Sequence, residues 1–545
     1  MVAAAGVRCH LRFQPTYGDT SHVCESESGD ILMPLLDTFP HGLHLPHGGV
    51  TKALPGVPGA LLRADNIRYF ADGAGRVKIK ARKGRTQFNT GSNTNAILAL
   101  RRFYDVTNGL TRTMRCTTGS GPNVTLEADT NDDGAFTAVS GGTGLTSTAK
   151  QRTRMVAFPE QNAVFVTNYG DNLRTYNGTT LAAVAVVSGV TIDGGLIEEW
   201  GDRLWATRKD FPHVVYATDF FNPSKFIYTL NVVDENGGGV TGLKHFHDRL
   251  VIFKSTATFV HTGDIRCAAS GQGALMKASD KGAVSSDAIV RTPFGIVYVS
   301  DDGIYLTQGR VADSQDISVN LHSLFSGNTI YDEAVMHWDA YSEVIRLKLA
   351  PSDTHTWILA RFDIPGSGAE PGEQRVLWSK DTNTPMTCAA SWPGEGADRR
   401  VLVGASDGKI WRVDTGTQDG STDIPIDVIV YPGPFGERGE LGSITTLEPF
   451  FAAKSPITLR TWYGQFNPDT DDPRVEQPVG RYTDATVDQI AMFSDKTYRW
   501  YSHFVAWGVH VEASNGDFRL YAVNLKAKRK ASSYRSNQYL IATEA

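Results

Sequence analysis

Histidines at close, regular spacing are the first residues with the means to do chemistry. His41, His44 and His47 in HGLHLPHGG recur every third residue, near enough to share a metal ion. No nearby cysteine or carboxylate completes a familiar ligand set, and the surrounding prolines imply extended backbone, so no metal is assigned. His245 and His247 in KHFHDRL alternate with Phe246, which reads as the outward, polar side of a strand. Glu198, Glu199 and Asp202 beside Trp200 are the best carboxylate group for glycoside chemistry. A working pair must converge across a pocket at a set separation, and neighbours in sequence need not do so. The chain has no GxSxG, no GxxxxGK[ST] phosphate loop and no HExxH. Gly237 to Gly239 lack the strand–Gly–helix setting of a nucleotide site. Asn123-Val124-Thr125 and Asn177-Gly178-Thr179 are formal glycosylation acceptors that carry no weight without a secretion signal. The expectation is a protein that is not an enzyme, with no catalytic residues, no metal and no cofactor.

Composition narrows the class. At 545 residues the chain exceeds one compact core, so several domains or one large repeat are expected. Val, Thr, Tyr, Phe and Trp come in short bursts between Gly- or Asn-rich breaks, and Gly is high at 54. That texture belongs to strands joined by turns. A net charge of −6 argues against a basic surface that wraps nucleic acid, although a weakly acidic wall lets DNA slide past. Cys9, Cys24, Cys116, Cys267 and Cys388 are odd in number, scattered and free of any CxxC pair. They imply free thiols made in a reducing cytoplasm rather than a disulfide framework. The first residues do not read as a signal peptide, and no apolar run is long enough to cross a membrane.

The strongest signal is internal repetition. Gln161 to Gly178, Arg249 to Gly263, Gly295 to Gly309 and Val401 to Gly416 share one plan: an apolar strand, a Gly/Asp/Asn turn, then a second strand with an aromatic. Asp202 to Asp219 and Glu343 to Asp363 are looser copies. Successive copies start about 40 to 60 residues apart, the spacing of four-stranded propeller blades. In VYVSDDGIYL, Val297 and Val299 alternate with Tyr298 and Ser300, Asp302-Gly303 is expected to supply the positive φ of a tight hairpin, and Ile304 and Leu306 resume the buried face. One such sheet has two open edges and an uncovered apolar face; radial packing of blades covers both. The predicted fold is therefore all-β, a β-propeller of six to eight blades with seven preferred. SDDGIY (Ser300 to Tyr305) and SDGKIW (Ser406 to Trp411) come near the Ser-x-Asp-x-Gly turn of sialidase-like propellers, but with the wrong internal spacing, and are read as hairpin turns.

The flanks differ. Residues 1–60 read as an extended N-terminal arm, 61–420 as the propeller, 421–525 as a β-sandwich-like platform and 526–545 as a basic C-terminal tail. Strand candidates in the platform are Ile424 to Tyr431, Ile457 to Tyr463, Phe504 to Val511 and Phe518 to Leu525. Lys526, Lys528, Arg529 and Lys530 are candidate contacts to an acidic partner or DNA.

Several phrases, in order, resemble the tail nozzle or tail hub proteins of short-tailed bacteriophages, also described as packaged-DNA stabilisation proteins. They are Ala64 to Phe88, Ala99 to Met114 (similar to that family's first blade), Glu198 to Phe226 with its Asp-Arg-Leu-Trp, and the pair Val240 to Asp264 and Lys281 to Gly309. The resemblance covers roughly residues 60 to 420; the N-terminal arm does not match and the C-terminal region matches only as a general β platform. It implies a structural protein of the virion tail, assembled in the host cytoplasm as a homo-oligomeric ring of about six copies. Its partners would be portal adaptors and tail fibre or needle proteins, and its channel would retain the packaged genomic DNA and conduct it without sequence readout. Asp301 and Asp302 are candidate lumen-turn residues. The alternative reading is a receptor- or carbohydrate-binding tail propeller, able to cleave glycans if carboxylates and aromatics converge at its mouth.

Overall fold

The computed structural model describes residues 60–71, 76–91, 94–119, 123–146, 153–168, 170–263, 274–325, 331–362, 375–392, 400–431, 441–452, 457–464, 506–514 and 518–530, with short pieces at 24–25, 30–32, 43, 466–467, 472–473 and 476–482. The fold is all-β, and a seven-bladed propeller fills most of the described chain. Contacts divide the chain into two compact units: Lys83–Ala360 with Lys380–Thr422, and Met1–Arg82 with Arg361–Ser379 and Asp423–Ala545.

In the propeller unit each blade begins with the strand nearest the axis. These first strands are Ile97–Asp105, Arg154–Phe158, Ile197–Glu199, Val240–Phe246, Ile289–Thr292, Val335–Asp339 and Cys388–Trp392. Each touches the next, and the last touches the first, so they form a closed inner ring. The repeated phrases are the second and third strands of blades two to seven. In blade five, for example, Gly295–Val299 pairs with Ile304–Thr307, with Val297 opposite Leu306. The seventh blade consists of Cys388–Trp392, Arg400–Gly404, Ile410–Val413 and, as its outer strand, Arg85–Gln87 from before blade one. Trp411 lies opposite Gln87 and Val413 opposite Arg85. This join fastens the two ends of the repeat and leaves no open gap in the ring.

The core is a series of layers between neighbouring blades. Phe103, Met114 and Leu126 of blade one pack with Val164, Val166 and Tyr176 of blade two. Trp205 and Val215 of blade three meet Leu250, Ile252 and Phe259 of blade four. Each fully buried side chain of this size contributes about 1.5–3 kcal/mol. At the closing seam space is tight: a Cβ on Gly404 would lie 2.7 Å from Ile97 Cγ2 and 2.8 Å from Cys388 Sγ. Only glycine lets blade seven approach blade one there.

Local turn chemistry departs from expectation at one telling place. Gly303 is not among the residues of positive φ. Ser300 N–H closes the turn onto the Gly303 carbonyl at 2.8 Å, and a Cβ on Gly303 would meet Ser318 Oγ at 2.8 Å. Glycine is required for that close approach rather than for its dihedral. In the SDGK turn of blade seven, by contrast, Gly408 does take φ +78°.

The second unit holds two antiparallel sheets. In one, Ala60–Asp65 pairs with Pro425–Tyr431, which pairs with Ala506–Ser514, then Ile457–Gly464 and Glu476–Tyr482. In the other, Ile67–Ala71, Val77–Ala81 and Arg519–Lys530 lie side by side, and Leu441–Ala452 pairs with the last of these. Leu61, Ile67, Ile79, Val428, Val511 and Leu520 are buried in it. The sequence boundaries need correction here. Residues 61–82 belong to this unit and not to the propeller, because the hydrogen-bond partners of Ala60–Asp65 come from Pro425–Tyr431. The domain does not stop at residue 525 either: one strand runs from Arg519 to Lys530. Most of the proposed arm and the end of the proposed tail lie outside the described residues. Within the arm, Asp30–Leu32 pairs with Lys526–Lys528, and Leu43 N–H bonds the Trp378 carbonyl at 3.0 Å.

Candidate functional site

The propeller axis gathers the most chemistry. A cavity of about 230 Å³ is lined from all seven first strands or the turns leading into them, from Leu98–Leu100 in blade one to Thr387–Ala389 in blade seven. Its wall is mixed: Leu100, Met155, Ile197 and Met336 are apolar, and Arg154, Lys244 and Asp287 are charged. Arg154 of blade two spans the axis and donates from Nε to Ser286 Oγ, just before blade five, at 2.7 Å.

One residue further along these strands the axis becomes polar. Glu198 of blade three is buried; Lys244 Nζ donates to its Oε2 at 2.9 Å, and His245 Nδ1 lies 3.0 Å from its Oε1. Arg291 of blade five contacts the other ring nitrogen of His245. Burial alone would raise the Glu198 carboxyl, but the Lys244 charge and the bonds from His245 and Lys244 outweigh it and hold the group at about 2. Glu199 moves the other way, its carboxyl raised chiefly by desolvation. Burial pushes the Arg101 guanidinium of blade one down, with Glu198 and Glu199 of blade three opposing that and Arg291 of blade five adding to it. The Arg154–Ser286 bond crosses the ring of first strands, and the cavity beside it has the volume of a small molecule rather than of a strand of nucleic acid.

This arrangement revises the reading of several singled-out residues. His245 does not face outward; it sits between Glu198 and Arg291. His247 is not in a strand but takes φ +52° in the turn after one. The three carboxylates do not form a cleavage pair: Glu198 is bound into ion pairs, and Asp202 takes φ +59° in the hairpin before Leu204–Thr207. Next to it, Arg203 stacks 3.7 Å from the Phe220 ring and donates to the Thr218 carbonyl, which explains the Asp-Arg-Leu-Trp phrase as turn plus clamp. His41, His44 and His47 lie outside the described residues. Among the described residues no cluster of His, Cys, Asp or Glu could hold a metal.

Asp301 and Asp302 occupy the turn between the second and third strands of blade five, away from its axial strand. Asp301 accepts from Ser300 Oγ at 3.0 Å. Asp302 pairs with Lys281 and accepts from Tyr305 Oη at 3.0 Å. Desolvation raises its carboxyl, but those bonds prevail and hold it below the usual range. Lys526, Lys528, Arg529 and Lys530 lie in a paired strand: Lys526 is opposite Thr446 and Leu32, and Lys528 opposite Ser443 and Asp30. The four do not begin a tail.

Arg101, Arg291 and Lys244 were not singled out from the sequence. Their signal is a cation inside an otherwise apolar short strand, as in ILALRRF, IVRT and VTGLKHF.

No family model and no curated protein matches the chain. Among solved structures, a chain in the crystal structure of BBS1N in complex with ARL6DN is 10% identical, with a TM-score of 0.38, covering 62% of this chain and 99% of that one. The WD40 β-propeller domain of Doa1 is 10% identical, with a TM-score of 0.34, over 61% and 96%. A chain of the mitotic checkpoint complex is 13% identical, with a TM-score of 0.37, over 64% and 99%. Likeness at this level concerns the propeller fold alone.

Proposed function

We propose that this protein is a structural component of a short-tailed phage virion, the nozzle or hub ring that retains packaged DNA and forms its exit path. The observation that carries the reading is the order of the resembling phrases. Glu198 to Phe226, Val240 to Asp264 and Lys281 to Gly309 fall on blades three, four and five in succession, each spanning strands of one blade. The phrase Ala64 to Phe88 leads from the second unit into the closing strand Arg85–Gln87. Because the Arg154–Ser286 bond crosses the propeller axis, the DNA path in this reading is a channel between copies of the chain rather than through any one propeller. A ring closed by symmetry suits this role, since every interface is repeated and none is left open. A net charge of −6 is compatible with a channel wall to which phosphates do not adhere.

Particles assembled without the protein test the role directly. They should package DNA and then lose it, with retention restored by adding the purified chain. Equal retention with and without it would refute the assignment.

A further inference from the structure

We propose that His245 is a pH-dependent latch joining blades three, four and five: the neutral ring bonds both Glu198 and Arg291, and the protonated ring keeps Glu198 and releases Arg291. The two contacts fix the state of the ring. A carboxylate only accepts, so the proton between His245 Nδ1 and Glu198 Oε1, 3.0 Å apart, sits on Nδ1. Arginine stays charged and only donates, so the contact of Arg291 Nη1 with His245 Nε2 requires a bare Nε2. Both hold at once only for the neutral Nδ1–H tautomer. A second proton puts N–H on Nε2, where two positively charged donors then face each other. Histidine is the side chain whose charge changes between about pH 5 and 8, so mild acid is enough to trip the latch.

The surroundings decide which partner leaves. On the blade-three side Glu198 is buried and also bonded by Lys244 at 2.9 Å, and Glu199 acts on the same ring; both carboxylates favour imidazolium. Lys244 on its own strand and Arg291 on blade five oppose it. Arg101 of blade one is influenced by Glu198, Glu199 and Arg291 alike. Asp248, in the hairpin after His245, is paired with Arg249. Arg291 is exposed, so water can solvate its guanidinium once it is displaced, whereas Glu198 has no such alternative. Among the described residues the Arg291 guanidinium bonds no side chain but His245. Its release therefore unties blade five from blade four and leaves a free cation on the first strand of blade five. The latch lies within one propeller and stands whether or not the chain assembles into a tail ring.

The test is a double-mutant cycle on the full-length protein, with His245→Gln, Arg291→Met and the double variant melted at pH 8 and at pH 5. At pH 8 the two side chains should be coupled by about 2 °C or more in Tm, and at pH 5 the coupling should vanish or change sign. Equal coupling at both pH values, or none at pH 8, would overturn the proposal. A second readout reports on the ring itself. Nitrogen NMR of histidine-labelled protein, with the His245 signals identified by their loss in His245→Gln, should show the neutral Nδ1–H tautomer at pH 8. Arg291→Met should let His245 take up its second proton at a higher pH than in the wild type. Arg310→Met, which changes an exposed arginine elsewhere on blade five, should leave that titration where it is. An Nε2–H tautomer at pH 8, or a titration unmoved by Arg291→Met, would equally overturn it.

Discussion

Replacing Glu198 by Gln should destabilise the propeller strongly at neutral pH and hardly at all in strong acid. The carboxylate bonds Lys244 at 2.9 Å and lies 3.0 Å from His245 Nδ1, inside the ring of first strands. Its carboxyl is held at about 2 instead of 4.5. At about 1.4 kcal/mol per pH unit, that difference stabilises the folded chain by about 3 kcal/mol at pH 7. Because the folded-state pKa is the lower one, this stability is fully present above about pH 4.5 and drains away as pH falls toward 2. Loss of one partner of a buried pair costs roughly the same, ~3–5 kcal/mol, since Lys244 is left without its counter-charge. For a unit of this size Glu198→Gln should lower Tm by roughly 5–10 °C at pH 7. The assay is thermal unfolding of wild type and variant from pH 7 down to pH 2.5. The gap between them should narrow below pH 4.5, and the added change Lys244→Met should recover much of the lost stability. A variant as stable as wild type at pH 7, or a gap that persists unchanged into acid, would refute the assigned ion pairs.

Three further perturbations probe other parts of the structure. His337 is held at about 4 by burial, so neutral imidazole stabilises the fold above about pH 6.5 and the stability declines as pH drops from 6.5 to 4; His337→Phe should flatten unfolding curves across that window, and an unaltered slope would contradict it. Gly303→Ala should cost about 1–2 kcal/mol in urea unfolding because its Cβ would press on Ser318 Oγ at 2.8 Å, while Gly91→Ala, which meets nothing, should change stability by less than about 0.5 kcal/mol. Cys116 is buried, with desolvation pushing its thiol up to about 11, so iodoacetamide at pH 8 should leave it unmodified by peptide mass spectrometry until the chain is unfolded.

The sequence was most legible where structure is local. The hairpins of second and third strands announce themselves through period-two alternation and Gly/Asp turns, which is why six phrases found in the chain fall on blades two to seven. Blade one was read only through the resemblance of Ala99 to Met114, because its second and third strands, Leu110–Thr118 and Asn123–Asp129, carry no copy of the repeated aromatic phrase. Features set by closure of the ring stayed hidden. Arg85–Gln87 is only three residues long and gains its role from Ile410–Val413, which comes more than three hundred residues later. The strand Ala60–Asp65 likewise depends on Pro425–Tyr431. The same holds for the axis. Arg101, Glu198, His245 and Arg291 are far apart in sequence, and only the seven-fold arrangement of short first strands brings them together. His245 read as an outward polar position because alternation reports which side of a strand a residue takes, not what another blade presents to it. Asp302-Gly303 was assigned a positive φ from composition, yet the need for glycine came from Ser318.

The central claim, a ring-forming tail component, is tested most directly by the mass and shape of the purified full-length protein, measured by light scattering and electron microscopy with and without its portal–adaptor complex. The account predicts a ring of about six copies enclosing an open channel, formed alone or on the portal complex. A persistent monomer that ignores the portal complex would contradict it.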